Sequence, residues 1–279
     1  MPVIFHLDES GVPFTDYGRY NNIDIGIQRS ILSVAECGLW YMEYLQKRSK
    51  PIDGKSVLIS REWDHVFNES RLPKNEDDAY NRMINCSEWL LNNIHRFDNF
   101  SAWMYPYPFS YNTHADWKSA HAQAVGMQFL ARVARLYGES CYQEPIEELL
   151  RAFEQPVSKG GLLEVSPGGN FWFAKFADSQ NQSPRILNGH MFAVLGLIDI
   201  SQLLSIKKAK TLADSGAEAI TESLPKYDLG YWSAYDIFGK PAPLQYHRIH
   251  ILQLSRLFAI YGVDKYLNYH DIFVRYMNK

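Results

Sequence analysis

Apolar positions recur at three- and four-residue intervals over eight stretches of the chain. They are Ile25 to Leu45, Tyr80 to Ile94, Ser119 to Tyr137 and Ile146 to Phe153, then Leu187 to Leu204, Ala209 to Leu224, Gln245 to Tyr261 and Lys265 to Met277. That spacing puts the apolar side chains of each stretch on one face, so it predicts about eight amphipathic helices, mostly joined in consecutive pairs. Between the pairs run long irregular segments rich in Gly, Pro and aromatics: Ser101 to Trp117, Ser158 to Arg185 and Lys226 to Leu244. Loops of this length inside a compact domain tend to be functional or to carry short strands.

Helical hairpins with their long loops gathered at one end predict an all-α chain arranged as an α/α toroid, an incomplete barrel of helical hairpins. Short β-hairpins in its loops would line a cleft where the loops converge. There is no low-complexity segment and no linker. One domain is therefore expected over residues 21–279, behind an extended N-terminal arm of residues 1–20.

The composition fits a globular chain, with 46% hydrophobic and 21% charged residues. A formal net charge of -3 gives no reason to expect nucleic acid as a partner, although it leaves room for a local basic cleft. Aromatic residues reach 14%, which suits both a sugar-binding cleft and an aromatic-rich core. Cys37, Cys86 and Cys141 are odd in number, far apart and without a CxxC pair, so they read as reduced core thiols. The N-terminus lacks the basic start and apolar run of a signal peptide, and no apolar stretch approaches the ~18 residues of a membrane span. A cytoplasmic location is the expectation.

Candidate chemistry gathers in the three long segments. The first ends at Asp116 or Ser119, either able to cap the next helix. In that helix His121, Gln123, Gly126 and Gln128 occupy the first turns, where they face a cleft or solvent; His121 by itself reads as a buried, satisfied histidine. In the second, the pairs Gly160-Gly161 and Gly168-Gly169 and the alternating aromatics from Phe171 to Phe176 predict a β-hairpin, not a phosphate loop. Asn188 then caps the following helix or points into the cleft.

The third segment holds a turn at Gly230, a predicted short strand from Tyr231 to Tyr235, and Tyr235-Asp236. Ten residues on comes Tyr246-His247-Arg248-Ile249-His250. Tyr246 and His250 are four apart and share a helical face. Two tyrosines and two histidines around one helix start suit proton transfer or anion holding. His247 and His250 have a spacing that could hold a metal, but further ligands are not evident, and no metal site is predicted. Asp116, Glu164, Asp178, Asp228 and Asp236 are candidate carboxylates for glycoside chemistry, Asp236 the best placed.

These segments resemble the C-terminal domain of the D-glucuronyl C5-epimerases, which turn glucuronate units of heparan-type polysaccharides into iduronate. The resemblance rests on Trp117-Lys-Ser-Ala-His-Ala-Gln, on Leu187-Asn-Gly-His-Met-Phe-Ala-Val-Leu-Gly-Leu-Ile-Asp, on Leu224-Pro-Lys-Tyr-Asp-Leu-Gly-Tyr-Trp-Ser-Ala-Tyr-Asp, and on Tyr246-His-Arg-Ile-His-Ile-Leu-Gln-Leu. A weaker element, Tyr20-Asn-Asn-Ile-Asp-Ile, precedes the first helix. The resemblance implies an α/α toroid with a polysaccharide cleft. It also implies abstraction of the C5 proton, α to the carboxylate, and reprotonation from the opposite face. No cofactor is required.

Tyr235 and Tyr246 stand at the family's tyrosines. Anchored on Trp172, however, Ala174, Lys175 and Phe176 stand where the family carries Glu, Glu and Tyr, and Phe238 where it often carries Arg. Tyr235, Tyr246 and Lys175 are therefore the expected catalytic residues, Lys175 as the cation that pairs with the substrate carboxylate or as a base of lowered pKa. His250, His247, Asn188, Trp172, Asp236, Tyr231, Gln123 and Arg248 are expected to line the substrate site. The partner implied is an anionic polysaccharide of bacterial type, or its uronate-containing precursor, and pairing into a homodimer is compatible with the family. A uronate lyase and a non-catalytic glycan-binding protein of the same fold are the alternatives.

Overall fold

A computed structural model describes residues 5–47, 72–138 and 140–278. Within them lie eight α-helices at the predicted places: α1 (Ile31–Lys47), α2 (Glu76–Asn92), α3 (Ala120–Tyr137), α4 (Gln143–Leu150), α5 (Leu187–Leu204), α6 (Lys207–Ser223), α7 (Leu244–Tyr261) and α8 (Asp264–Met277). The differences lie at the ends. α1 starts six residues later than its apolar pattern suggests, because Ile27 and Gln28 pair with a strand instead. α2 starts four residues earlier than expected. Its first turn, Glu76-Asp77-Asp78, has no apolar period, but Asn75 caps it by accepting from Asp78 N at 2.8 Å, and the acidic turn suits the positive end of the helix.

The helices form the predicted incomplete α/α toroid. α1 packs with α2, α5 with α6 and α7 with α8 as antiparallel hairpins, and α3 is followed by the shorter α4. α1, α3, α5 and α7 then pack side by side as an inner row, with the closest association between α3 and α5. Burial follows position: every residue from Leu187 to Ile198 in α5 is buried, whereas α6 buries only a stripe that includes Ala209, Leu212, Ala213, Gly216 and Ile220. Small residues set the spacing. A Cβ on Gly38 of α1 would lie 2.3 Å from the Phe129 ring of α3, and one on Gly196 of α5 would lie 2.9 Å from the Ala124 Cβ.

α5 corrects one expectation. Its 18 residues have a mean hydropathy of 1.3, enough in length and apolarity for a membrane span, but 72% of it is buried inside the fold. Its apolar character is that of a core helix.

The N-terminal residues are extended but paired. β1 (Phe5–Leu7), β2 (Pro13–Asp16) and β5 (Ile27–Gln28) make a three-stranded antiparallel sheet, and β3 (Arg19–Tyr20) pairs with β4 (Ile23–Asp24). The sheet is tied to α1 by Tyr41, whose hydroxyl donates to Gly11 O at 2.9 Å. Cys37 and Cys86 are buried, and burial and the neighbouring Cys37 push the Cys86 thiol up; Cys141 is exposed, so the third cysteine is not a core thiol.

Gly38→Ala tests the close approach of α1 and α3. In an open helix this change is stabilising by about 1 kcal/mol. Here the added methyl strikes a packed ring, so a net loss of about 1–3 kcal/mol is expected in a urea melt. A variant as stable as the parent would show that the two helices are not held this close.

Candidate functional site

The second long segment forms the expected hairpin, β8 (Leu163–Val165) paired antiparallel with β9 (Phe171–Phe173). The chain leaving β9 is fixed on both sides. Ala174 N donates to Leu162 O at 2.9 Å, and its carbonyl accepts from Ala120 N at 2.9 Å. Lys118 and Ala177 exchange backbone hydrogen bonds of 3.0 and 2.8 Å. Residues 174–177 thus cross the start of α3, where Ser119 caps the helix by accepting from Ala122 N at 3.3 Å.

The third segment is joined to the same end. Leu187 N donates to Tyr235 O at 3.1 Å, and Tyr235 N to Lys240 O at 2.6 Å. The predicted strand from Tyr231 to Tyr235 does not form; Ser233 and Ala234 make only isolated bridges, to Asp228 and Pro241. Through these bonds the loops share one face with the starts of α3 and α5, and Ala242 N, donating to Ser233 O at 2.9 Å, joins the start of α7 to the third segment.

Lys175, Tyr235 and Tyr246 meet there, each half-buried. Lys175 Nζ donates to the Tyr235 hydroxyl oxygen at 3.1 Å. It lies 5.5 Å from the Tyr235 ring centre and 5.3 Å from that of Tyr246, and the two rings are 5.0 Å apart. Burial, and then the charge of Asp236, push the Tyr235 phenol up, so it rests as a neutral donor. The Lys175 stem passes over Gly189: a Cβ there would lie 2.6–2.9 Å from Lys175 Cδ, Cβ and Cγ. Only glycine lets the lysine cross the helix start in this line.

His250 sits one turn below Tyr246 on α7, fully buried. Its Nδ1 is 2.8 Å from Ser233 Oγ, which is 2.7 Å from His247 Nδ1. His247 Nε2 is 3.0 Å from Phe273 O. Burial, then His247, then Lys175 push His250 down to about 3. His247 is lowered by burial, against the opposing pull of the Phe273 carbonyl.

Other expected site residues are elsewhere or otherwise engaged. Trp172 is wholly buried, stacked on His190 at 4.1 Å, and belongs to the core rather than to a sugar-binding wall. Gln123 is buried, accepting from Trp103 N at 3.1 Å and donating to Ser101 O at 3.3 Å, so it ties loop to helix. Asn188 neither caps α5 nor reaches the surface; it is buried, and Ile186 is the N-cap. His247 is buried with both ring nitrogens engaged, and so offers nothing to a substrate or a metal. Tyr231 is 61% exposed, and Arg248 is also at the surface.

The carboxylates are structural. Asp236 accepts from Phe238 N and Lys240 N at 3.0 and 3.1 Å and from the Tyr111 hydroxyl at 2.6 Å. Glu164 pairs with Arg185 at 2.9 Å, and Asp228 accepts from Gly230 N and Tyr276, both at 2.8 Å. Asp178 is buried, which opposes ionisation, yet hydrogen bonds from His114 and Gln180 hold it below the usual carboxylate range. Asp116 is an exposed turn residue with φ +67°.

Two residues escaped the sequence reading. His121 is buried as expected, stacked on Phe192 at 4.2 Å; His190 is a second core histidine, whose Nδ1 accepts from Phe173 N at 2.9 Å and whose Nε2 donates to Gly216 O at 3.0 Å, pinning β9 to α5 and α6. Tyr111 has φ +62°, lays its ring 5.3 Å from that of Phe176, and joins the cluster through Asp236. Burial and then Asp236 push its phenol up. A separate cavity of about 500 Å³ lies among Phe14, Arg29, Trp89, His95, Met104 and Asp116, away from the lysine–tyrosine cluster.

A family model described as the D-glucuronyl C5-epimerase C-terminus matches residues 97–275. The match covers more than half of the chain and all of the cluster, and the chain belongs to this family. A relative from Methanocaldococcus jannaschii, an uncharacterized protein, is 33% identical over 175 residues, 61% of this chain and 56% of that protein. A D-glucuronyl C5-epimerase of Caenorhabditis elegans is 27% identical over 168 residues, 53% of this chain and 26% of the relative. The matches thus span about half of the one curated relative's length and a quarter of the other's. These relatives are archaeal and animal, so they give the expected bacterial setting no support. Among solved structures, a glycoside hydrolase of family 105 from C. acetobutylicum aligns over 85% of this chain and 73% of its own, with a TM-score of 0.48 and 12% identity.

The buried histidines generate a pH dependence. His190 and His250 are both held down at about 3, His190 chiefly by burial, from an ordinary value of 6.5. Between those values the unfolded chain binds the extra protons, so this stability is whole above pH 6.5 and is lost as the pH falls toward 3. Each histidine contributes a slope of about 1.4 kcal/mol per pH unit. Denaturant melts at a series of pH values should show it; stability unchanged between about pH 6 and 4.5 would contradict neutral buried imidazoles.

Proposed function

We propose that this chain exchanges the C5 proton of a D-glucuronate unit in a glycan, converting it to L-iduronate. The observation that carries the reading is the Lys175 ammonium held 3.1 Å from the Tyr235 oxygen, with Tyr246 packed beside both. Membership of the family and the likeness to the C. elegans epimerase support it.

The chemistry follows from the charges. The C5–H bond is α to a carboxylate. When a base removes that proton, the electron pair delocalises into the carboxylate as an enediolate, and a new C5–H bond forms on the opposite face. Nothing is oxidised or reduced. The difficult term is the second negative charge on the carboxylate carbon's oxygens, and a fixed cation beside it is the effective remedy. Lys175 is that cation. Because Lys175 donates to the Tyr235 oxygen, the phenol's own proton is left for the substrate, and the phenolate it leaves behind stays paired with the ammonium. On the other face Tyr246, in the turn that begins with its hydroxyl deprotonated, takes the C5 proton as Tyr235 gives up its own, and the roles exchange in the reverse direction.

Phe176 favours a second reading. It stands at a family tyrosine position, yet its ring is packed 5.2 Å from Trp117 and 5.3 Å from Tyr111 and has no proton to exchange. On that reading the cleft binds a uronate glycan without turning it over.

Incubation with a glucuronate polymer in deuterated water separates the two. Deuterium at C5 with L-iduronate in the product is the expected result. Unsaturated chain ends would mean elimination, and binding without exchange would mean a non-catalytic cleft. Tyr246→Phe should abolish exchange. Lys175→Met should lower it by about 10²–10³-fold, the scale of removing one stabilising donor from a developing anion. Gly189→Ala should approach the Lys175→Met value while keeping the parent's circular dichroism, because its methyl displaces the lysine stem. Full exchange in Tyr246→Phe would overturn the assignment.

A further inference from the structure

We propose that His250 is a positioning residue for Lys175: a hydrogen-bond relay from Phe273 through His247 and Ser233 leaves its Nε2 as a bare acceptor, which with Asn188 and Gln253 holds a water beneath the Lys175 ammonium. The role of that ammonium in C5 exchange rests on the function proposed above; the relay itself does not.

The relay can be read one proton at a time. A carbonyl only accepts, so His247 Nε2, 3.0 Å from Phe273 O, carries a hydrogen. His247 is neutral, so its Nδ1 is a lone pair. It receives the Ser233 N–H at 3.3 Å and the Ser233 hydroxyl at 2.7 Å. A serine has one hydroxyl proton, now committed, and toward His250 its oxygen can only accept. The 2.8 Å contact is therefore a donation from His250 Nδ1–H, and Nε2 is left without a proton. A backbone carbonyl more than twenty residues away thus fixes the tautomer of a histidine at the site.

That Nε2 is buried and has no hydrogen-bond partner in the protein. Lys175 is near enough to help hold the ring neutral, together with burial and His247. The same charge that repels an imidazolium is attracted by a lone pair. Other buried polar atoms on α5 and α7 are in the same condition: both side-chain amide atoms of Asn188, and Gln253 Oε1. Gln253 lies one turn beyond His250 and is anchored by donating its Nε2 to Asn188 O at 3.1 Å. Asn188 in turn precedes Gly189, over which the Lys175 stem passes. A buried water needs roughly two to four such partners. Accepting from Lys175 and donating to His250 Nε2, it keeps the ammonium aimed at the Tyr235 oxygen instead of swinging toward solvent.

Two measurements test this. In ¹⁵N-histidine-labelled protein, His250 should be protonated on Nδ1 alone and His247 on Nε2 alone across about pH 5 to 8. Protonation of His250 on Nε2 overturns the proposal whatever the activity. In ¹⁵N-lysine-labelled protein, the Lys175 ammonium should give a slowly exchanging signal that Ser233→Ala loses and Ser233→Thr restores; persistence of that signal in folded Ser233→Ala overturns it. Where the parent exchanges C5 protons, Ser233→Ala should lower kcat about ten- to a hundredfold with KM little changed, the size expected of a misplaced catalytic group. An unchanged kcat overturns it. Absence of C5 exchange in the parent would count against the proposed function alone, since the two spectroscopic results decide the relay.

Discussion

Four backbone hydrogen bonds on residues 174–177 are the constraint on which the site depends. The chain leaving β9 is bonded to Leu162 on one side and to Lys118 and Ala120 on the other. It therefore cannot shift without breaking either its hairpin or the start of α3. From that fixed line Lys175 has one short path to the tyrosines, across Gly189 at the start of α5. Tyr235 is in turn bonded through its carbonyl to Leu187 N, so the same helix start positions both partners of the 3.1 Å contact. Direct main-chain bonds are a sounder basis for such a contact than side-chain packing, because their geometry tolerates little drift.

The inner helices explain why these starts coincide. α1, α3 and α5 approach closely because Gly38 faces Phe129 and Gly196 faces Ala124, and their partners cover the outer side. With consecutive helices antiparallel, the inner ones all begin at the same end. The long loops then have nowhere to go but over those starts. His190 welds this end to the core: one ring nitrogen takes the β9 amide, and the other donates to α6. Burial holds that histidine low, against the pull of the Gly216 carbonyl, and only the neutral ring can accept on one side and donate on the other.

Periodicity made the helices legible, although α5 is buried all round over Leu187–Ile198; it faltered at a helix end with no apolar face, as at Glu76–Asp78, where the capping Asn75 was the available signal. The lysine–tyrosine cluster was legible because its residues sit at motif positions. What the sequence could not show was which polar or aromatic neighbours of those motifs face inward. Trp172 and Gln123 lie beside site residues in sequence and are buried in the core; Asn188 is buried directly under the site. Tyr111 was invisible for the opposite reason. It reaches the cluster only because its backbone adopts φ +62°, a conformation that tyrosine seldom takes and that no local pattern announced.

Lys175 in place of the glutamate that the resemblance implies would change the charge at that position by two units. A carboxylate here would stand beside a phenol already raised by burial and by Asp236 and would raise it further, favouring a tyrosine that holds its proton. On the proposed chemistry a lysine would do the reverse: it would leave the resting phenol protonated, because burial dominates, and stabilise the phenolate once the proton had gone to carbon. Losing the hydroxyl at Phe176 is then less costly than it first looks. On the proposed chemistry a site with a carboxylate base would need a separate cation for the substrate's charge, whereas one ammonium beside two phenols would serve both the enediolate and the phenolate that Tyr235 leaves. On the proposed chemistry the departures at 175 and 176 would be a single change in how the site handles negative charge.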